Sequence, residues 1–166
     1  MKEHALGMAA AVVGESDVHG CLCCDLTSGR MTAPGGPVHD TGRWRVEHCI
    51  DSLGVGTLIV KPVRHVTALG DLDAEEADEL GPLLQRVCRV IQALTRAEQV
   101  YVCLWSHAGG VATHIHFVVQ PVTRAEMDRF RKYGPHLQQA MFAADEALDH
   151  HAAVSMVVKA REALRD

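Results

Sequence analysis

The sequence has no long basic run. With 16 Lys+Arg against 21 Asp+Glu and a formal net charge of −5, it lacks the broad positive footprint of a nucleic-acid binder, so no nucleic-acid partner is expected and only local sites for small anions stay open. A long apolar run is missing too. The stretch from Met8 to Val13 is too short to span a membrane, and the residues before it carry Glu3 and no convincing positive charge of the kind a secretory leader has. Residues 1–20 are therefore expected to form a soluble arm, with no membrane partner. No internal repeat is visible. The six cysteines come without a secretory signal and point to a reducing compartment, where a close Cys pair more often binds metal or stays a thiol than forms a disulfide. A cytoplasmic location is the expectation. At 166 residues, 48% of them hydrophobic, the chain can bury one good core, and a single domain follows.

Along the chain, "TSGRMTAPGGPVHDT" from Thr27 to Thr41 reads as a loop. "GRWRVEHCI" reads as a short strand and "GTLIVKPV" from Gly56 as a buried one ended by Pro62, and the two are expected to pair. Asp73 and Glu76 have capping-box spacing, and Leu80, Leu83, Leu84, Val87, Ile91 and Leu94 then recur at helical spacing, which predicts an amphipathic helix. Gly81 and Pro82 near its beginning allow either a kinked first turn or a main helix that begins at Pro82. "QVYVCLW" from Gln99 and "HIHFVVQ" from His114 read as strands joined by the loop "SHAGGVA", which favours antiparallel pairing. Helical segments are predicted from Arg124 to about Tyr133 and again from Pro135 and from Ala152. The order β, β, α, β, β, α is that of an α+β domain.

Side chains alternate along a strand, so His114, His116, Val118 and Gln120 should share one face while Ile115, Phe117 and Val119 face the core. A pair of histidines so placed is structural as readily as functional. "CLCC" sets Cys21 and Cys24 at the Cys-x-x-Cys spacing that lets two thiolates reach one tetrahedral zinc. Two further nitrogen or sulfur ligands would be needed, and His65, closing "VKPVRH", and His114 are the candidates. Such a Cys2His2 site is closed and structural; the plain alternative is a pair of inert buried thiols. Whether Cys23 replaces one of its neighbours is open.

Taken together, "CLCC", "GTLIVKPVRH" and "GGVATHIHFVVQP", in this order from about Cys21 to Pro121, resemble the histidine triad (HIT) family. The resemblance implies a HIT-like α+β fold: an antiparallel β-sheet with a long amphipathic helix and C-terminal helices. Residues 21–124 would be the HIT-like domain, and 125–166 a helical extension packed on it. It implies a homodimer that binds a small-molecule nucleotide or nucleotide conjugate over the histidine strand. His116 falls on the position of the nucleophile that attacks the α-phosphate to form a nucleotidyl-histidine, which water then cleaves; a neutral imidazole suits that role. Cys21, Cys24, His65 and His114 fall on the zinc ligands of zinc-bearing members. Zinc would then be structural, with a catalytic role left open. The implied activity is that of a nucleotide hydrolase or transferase acting on phosphoramidates, dinucleoside polyphosphates or related conjugates.

The chain also departs from that pattern. The third triad position is Val118, which offers no donor to a charged transition state, a loss of about 3 kcal/mol by analogy with oxyanion sites. Gln120, next on the same face, is the nearest stand-in. Thr57 stands where many members carry a histidine, and Cys49, flanked by Glu47 and Asp51, stands where an acidic residue grips the ribose. Gly110 replaces a glutamine, although the backbone N–H groups of Gly109 and Gly110 still suit an anion. His107 is either a phosphate donor or a solvated loop residue, and His48 lies over the pocket or points outward. Trp44 and Trp105 read as core or interface aromatics, His150 and His151 as an exposed helix surface. These departures keep two other functions open: a HIT-like enzyme of specialised metabolism with non-nucleotide or zinc-dependent chemistry, and a catalytically decayed nucleotide-binding protein.

Overall fold

The computed structural model describes residues 18–51, 53–108 and 111–165, so nearly all of the expected arm lies outside the described residues. Strands β1 (Pro37–Asp40), β2 (Trp44–His48), β3 (Leu58–Pro62), β4 (Gln99–Ala108) and β5 (Val111–Val122) form one antiparallel sheet in the order β1-β2-β3-β5-β4. Helices α1 (Leu22–Ser28), α2 (Ala74–Thr95), α3 (Arg124–Phe130), α4 (Gly134–Ala144) and α5 (His150–Ala163) accompany it. The α+β class and the β2–β3 and β4–β5 pairings agree with the sequence.

The long helix begins where its cap dictates. Asp73 accepts from Glu76 N–H at 2.7 Å and Glu76 reaches back to Asp73 N–H at 2.9 Å, a complete capping box. Pro82 lies inside the helix on its exposed side, so the start at Pro82 is not the one adopted. Leu83, Val87 and Ile91 are buried in the first core with Trp44, Val46, Leu58, Val60, Phe117 and Val119 of the sheet and Val157, Ala160 and Leu164 at the chain's end.

Two elements differ from the sequence reading. β1 lies inside the segment read as a loop: four residues of edge strand follow the Pro34-Gly35-Gly36 turn, and Pro37 takes the first position, where its missing N–H costs no ladder bond. The expected loop between the last two strands shrinks because β4 runs to Ala108 and β5 starts at Val111.

The other face of the sheet is only partly open. Cys49, Leu53, Val118 and Val122 form a second core under Met127 of α3 and Leu137 and Met141 of α4. Apart from Gln120, "FVVQPV" is apolar on both alternating sets because its half of β5 is covered on both sides. Val118 is 1% exposed. It belongs to a core and not to a solvent-facing site.

Between β2 and β3 the chain closes on itself. His48 accepts from Gly56 N–H through Nε2 at 2.9 Å, so its Nδ1, 2.7 Å from the Cys49 carbonyl, carries the hydrogen and donates. Thr57 Oγ1 donates to the Leu53 carbonyl at 2.8 Å. Gly56 has φ +93°, and a Cβ there would come within 2.9 Å of Thr95; only glycine fits. His48 is thus a buried neutral plug at the base of the segment that carries Asp51.

Two outcomes are expected. Burial lowers the His48 pKa below 6.5, so below that pH the unfolded chain takes up the proton first and the fold loses stability. The urea midpoint of metal-free protein should drop from about pH 7.5 to about pH 5.5, and drop less in His48→Gln; an equal drop in both would contradict the assignment. Restoring a third histidine by Val118→His should destabilise by about 2–4 kcal/mol in urea unfolding, because it places a polar ring in a filled apolar cluster. A stable V118H protein would show that this core yields.

Candidate functional site

Two segments converge on the first half of β5. After β3, Arg64 makes a two-pronged ion pair with Glu76 of α2 at 2.7 and 2.6 Å, and Ile115 N–H donates to the Val66 carbonyl at 2.8 Å. His65, held between these anchors, meets His114 edge to face with ring centroids 5.1 Å apart. From the other side α1 delivers the thiols. Cys21 is its N-cap residue and Cys24 is buried in its first turn. Cys24 Sγ lies 3.3 Å from His65 Nδ1 and 3.5 Å from His114 Nδ1.

The donor atoms of Cys21, Cys24, His65 and His114 all lie within 4.8 Å of one another. Zinc bound at about 2.3 Å to sulfur and about 2.0–2.1 Å to nitrogen spaces tetrahedral ligand atoms by about 3.3–3.8 Å. The quartet fits that ion after a contraction of up to about 1 Å in its longest separations. His114 is already oriented for it: Nε2 is 3.0 Å from the Pro62 carbonyl, and since a carbonyl only accepts, Nε2 carries the hydrogen and Nδ1 presents its lone pair to Cys24. Burial first, then neighbouring His65, pushes the His114 pKa down to about 4, which keeps the ring neutral.

His116 is two residues further on the same face. Its Nδ1 donates to the His114 carbonyl at 3.2 Å, which leaves the lone pair on Nε2. Burial lowers its pKa, the bond to the His114 carbonyl opposes this, and Lys61 adds to the lowering while Asp51 opposes it. The result is a neutral imidazole of defined tautomer, the form that can attack an electrophile or accept a proton. Cys23 Sγ is 4.0 Å from His116 Nδ1 and does not belong to the metal-ligand quartet. Burial pushes its thiol up to about 12. It stays protonated.

A buried ion pair underlies the site. Lys61 Nζ, on β3, lies 2.5 Å from Glu47 on β2, with side chains 0% and 4% exposed, and donates to the Cys23 carbonyl at 3.0 Å. The Thr27 hydroxyl donates to the same carbonyl at 2.8 Å. Lys61 therefore ties the thiol-bearing helix to the sheet, at the cost of desolvating two charges. The sequence reading passed over it, although a lysine inside "GTLIVKPV" with a glutamate in the neighbouring strand, diagonal to it in the register, is a visible signal.

An open cleft of about 800 Å³ is lined by His116 and by Cys21, His65 and His114 of the quartet; Asp51, Trp105, Thr113 and Phe142 complete much of its wall. Of the residues expected to bind phosphate, Gly109 and Gly110 lie outside the described residues, as does the side chain of His107, whose backbone pairs with Ala112 in the β4–β5 ladder. Gln120 is elsewhere. It is fully buried beneath α4, where it donates to the Leu53 carbonyl at 3.3 Å and to Met141 Sδ at 3.1 Å, so it cannot replace a triad histidine. Cys49, where an acidic residue was looked for, is a buried thiol pushed up to about 11 by burial. Trp44 is core, as expected, with Nε1 donating to the Glu76 carbonyl at 3.0 Å. Trp105 packs on the edge of the second core but also lines the cleft, which the sequence reading did not foresee.

No protein-family model and no curated protein matches the sequence. Solved structures do match the fold. A HIT-like protein involved in cell-cycle regulation from Bartonella henselae is 15% identical with a TM-score of 0.68, over 88% of this chain and 97% of that one. A hypothetical histidine triad nucleotide-binding protein from Sulfolobus tokodaii is 16% identical with a TM-score of 0.66, over 87% and 92%. A zinc-bound histidine triad family protein from Mycobacterium smegmatis is 20% identical with a TM-score of 0.56, over 75% and 94%. With its five-stranded antiparallel sheet and long helix across one face, the chain has the fold of the histidine triad proteins.

Proposed function

We propose that the protein is a HIT-like nucleotide hydrolase or transferase that acts at the α-phosphate of a nucleotide conjugate, with His116 as nucleophile and a zinc held by Cys21, Cys24, His65 and His114. The observation that carries the reading is the tautomer of His116: with Nδ1–H committed to the His114 carbonyl, Nε2 is a neutral nucleophile beside the large cleft. In the first step Nε2 attacks phosphorus, and the bond to the leaving oxygen or nitrogen breaks with its electron pair, the leaving group taking its proton from water. In the second, water displaces the imidazole, giving a nucleoside monophosphate and regenerating the neutral ring. The zinc would serve structure by cross-linking α1, the segment after β3 and β5. Its four ligands include His114, whose carbonyl holds His116. Geometry at the metal thus reaches the nucleophile through two residues of backbone.

A decayed, binding-only protein is the second reading. It is favoured by the burial of Val118 and Gln120, which removes two side chains from the nucleophile's surroundings.

One assay separates the two. Zinc-loaded wild type should hydrolyse adenosine phosphoramidate or a diadenosine polyphosphate, while His116→Ala should keep one zinc per chain and lose at least about a thousandfold in rate. Cys24→Ala and His114→Ala should lose the zinc and Cys23→Ser should retain it, by metal analysis of the purified proteins. A folded, zinc-loaded wild type that binds adenosine monophosphate but cleaves none of these substrates would establish the second reading.

We also infer a homodimer, in a reducing cytoplasm suited to six cysteines that form no disulfide with one another; no described helix is long and apolar enough to cross a membrane. β4 is a ten-residue edge strand, and its Val102 and Leu104 are 40% and 38% exposed. A long apolar edge invites pairing with a second copy. Light scattering should give twice the chain mass for wild type and the chain mass for Val102→Lys/Leu104→Lys; a monomeric wild type would refute the inference.

A further inference from the structure

We propose that the cleft beside His116 recognises a planar, uncharged aromatic ring of the substrate, and that Trp105 and Phe142 select it. The inference rests on the reading of His116 as the reacting group only for which part of the substrate the ring belongs to.

Three observations converge. The first is space. On one side of His116 the cleft holds about 800 Å³; on the other, a pocket lined by Leu22, Cys23, Ile59 and the buried Lys61 and Glu47 holds about 50 Å³, room for one or two waters. Any substrate larger than its reacting group must extend into the cleft. The second is charge. No lysine or arginine is among the described residues lining the cleft, and Asp51 contributes a carboxylate. The part of the substrate beyond the phosphate at His116 therefore meets no cationic side chain there, a setting that suits a neutral ring.

The third is the geometry of the rings. Trp105 pairs with His116 across the β4–β5 ladder, so its indole stands one strand spacing from the reacting imidazole, with centroids 6.2 Å apart and planes at 61°. Phe142, reaching over from α4, meets the indole edge to face, at 5.6 Å and 82°. Phe142 is still 48% exposed. Two rings held at right angles beside a cleft form a corner into which a third ring fits with one face stacked and one edge-on contact, the arrangements aromatic pairs prefer. The ring could be a nucleobase or an aryl leaving group, and both have the same recognition chemistry.

Tryptophan emission reads the site directly, since the only other indole, Trp44, is fully buried in the core. Adenosine monophosphate and ribose 5-phosphate test the nucleobase; phenyl phosphate and inorganic phosphate test the aryl group. In each pair the ring-bearing member should bind tighter by about 5- to 100-fold, the range stacking on an aromatic side chain supplies. Its binding should quench emission in wild type and in His116→Ala but not in Trp105→Leu, and Phe142→Ala should remove most of the advantage while leaving circular dichroism unchanged. Success with the adenosine pair alone assigns the ring to the nucleotide, and with the phenyl pair alone to the leaving group. Equal binding within both pairs, no binding by any of the four, or a change of oligomeric mass in Phe142→Ala, which would show the corner to be a subunit contact, overturns the proposal. Ring binding without turnover would retain it and reject only His116 as nucleophile.

Discussion

The site depends on the pairing of β3 with β5. Leu58 opposite Val119, Ile59 opposite Val118 and Val60 opposite Phe117 put Lys61 on the same face and beside His116, and bring the Pro62 carbonyl to His114 Nε2. A slip of one residue would turn every β5 side chain to the other face, sending both histidines into the core beneath α2. The register is protected on both sides: Leu58, Val60, Phe117 and Val119 are committed to the first core and Val118 to the second. Burying both faces of the same half-strand makes the slip costly in either direction.

From that register the rest follows by short links. His114 is held by one nitrogen to Pro62 and offers the other to the thiols; its own carbonyl holds His116. Lys61 reaches from the sheet to the Cys23 carbonyl and so sets the height of α1, and with it the two cysteines. The buried Lys61–Glu47 pair is costly, and exchanging it for apolar residues of similar size would be neutral or favourable for stability in many proteins. Its presence directly beneath the cysteine helix is accounted for by placement of the thiols.

Much of this architecture was legible in the residues. The capping box at Asp73 and Glu76, the helical stripe from Leu80 and the alternation along "THIHFVV" are local patterns, and local patterns survive into the fold. The quartet Cys21, Cys24, His65 and His114 was legible because spacing and strand periodicity converge on it. What escaped depends on elements distant in sequence. Gln120 shares a face with His116, but α4 covers its half of that face, and nothing within "HFVVQP" reveals which helix will lie there. Trp105 reads as a core or interface aromatic because strand alternation cannot show where a cleft opens, and Phe142 sits in a helix with no motif. The β1 strand was hidden by the glycines and prolines that form the turn before it.

If His116 acts as a neutral nucleophile on a strand anchored by zinc, with Val118 two residues further along the same face, an adenylyl group must pass through its imidazole. Intact-mass analysis of zinc-loaded protein, mixed with adenosine phosphoramidate and quenched in alkali where phosphohistidine bonds persist, tests it most directly. One adenylyl group per chain, mapped to His116, is expected. Turnover by a fully zinc-loaded protein with no adduct on His116 at any time, or with an adduct on another residue, would contradict it.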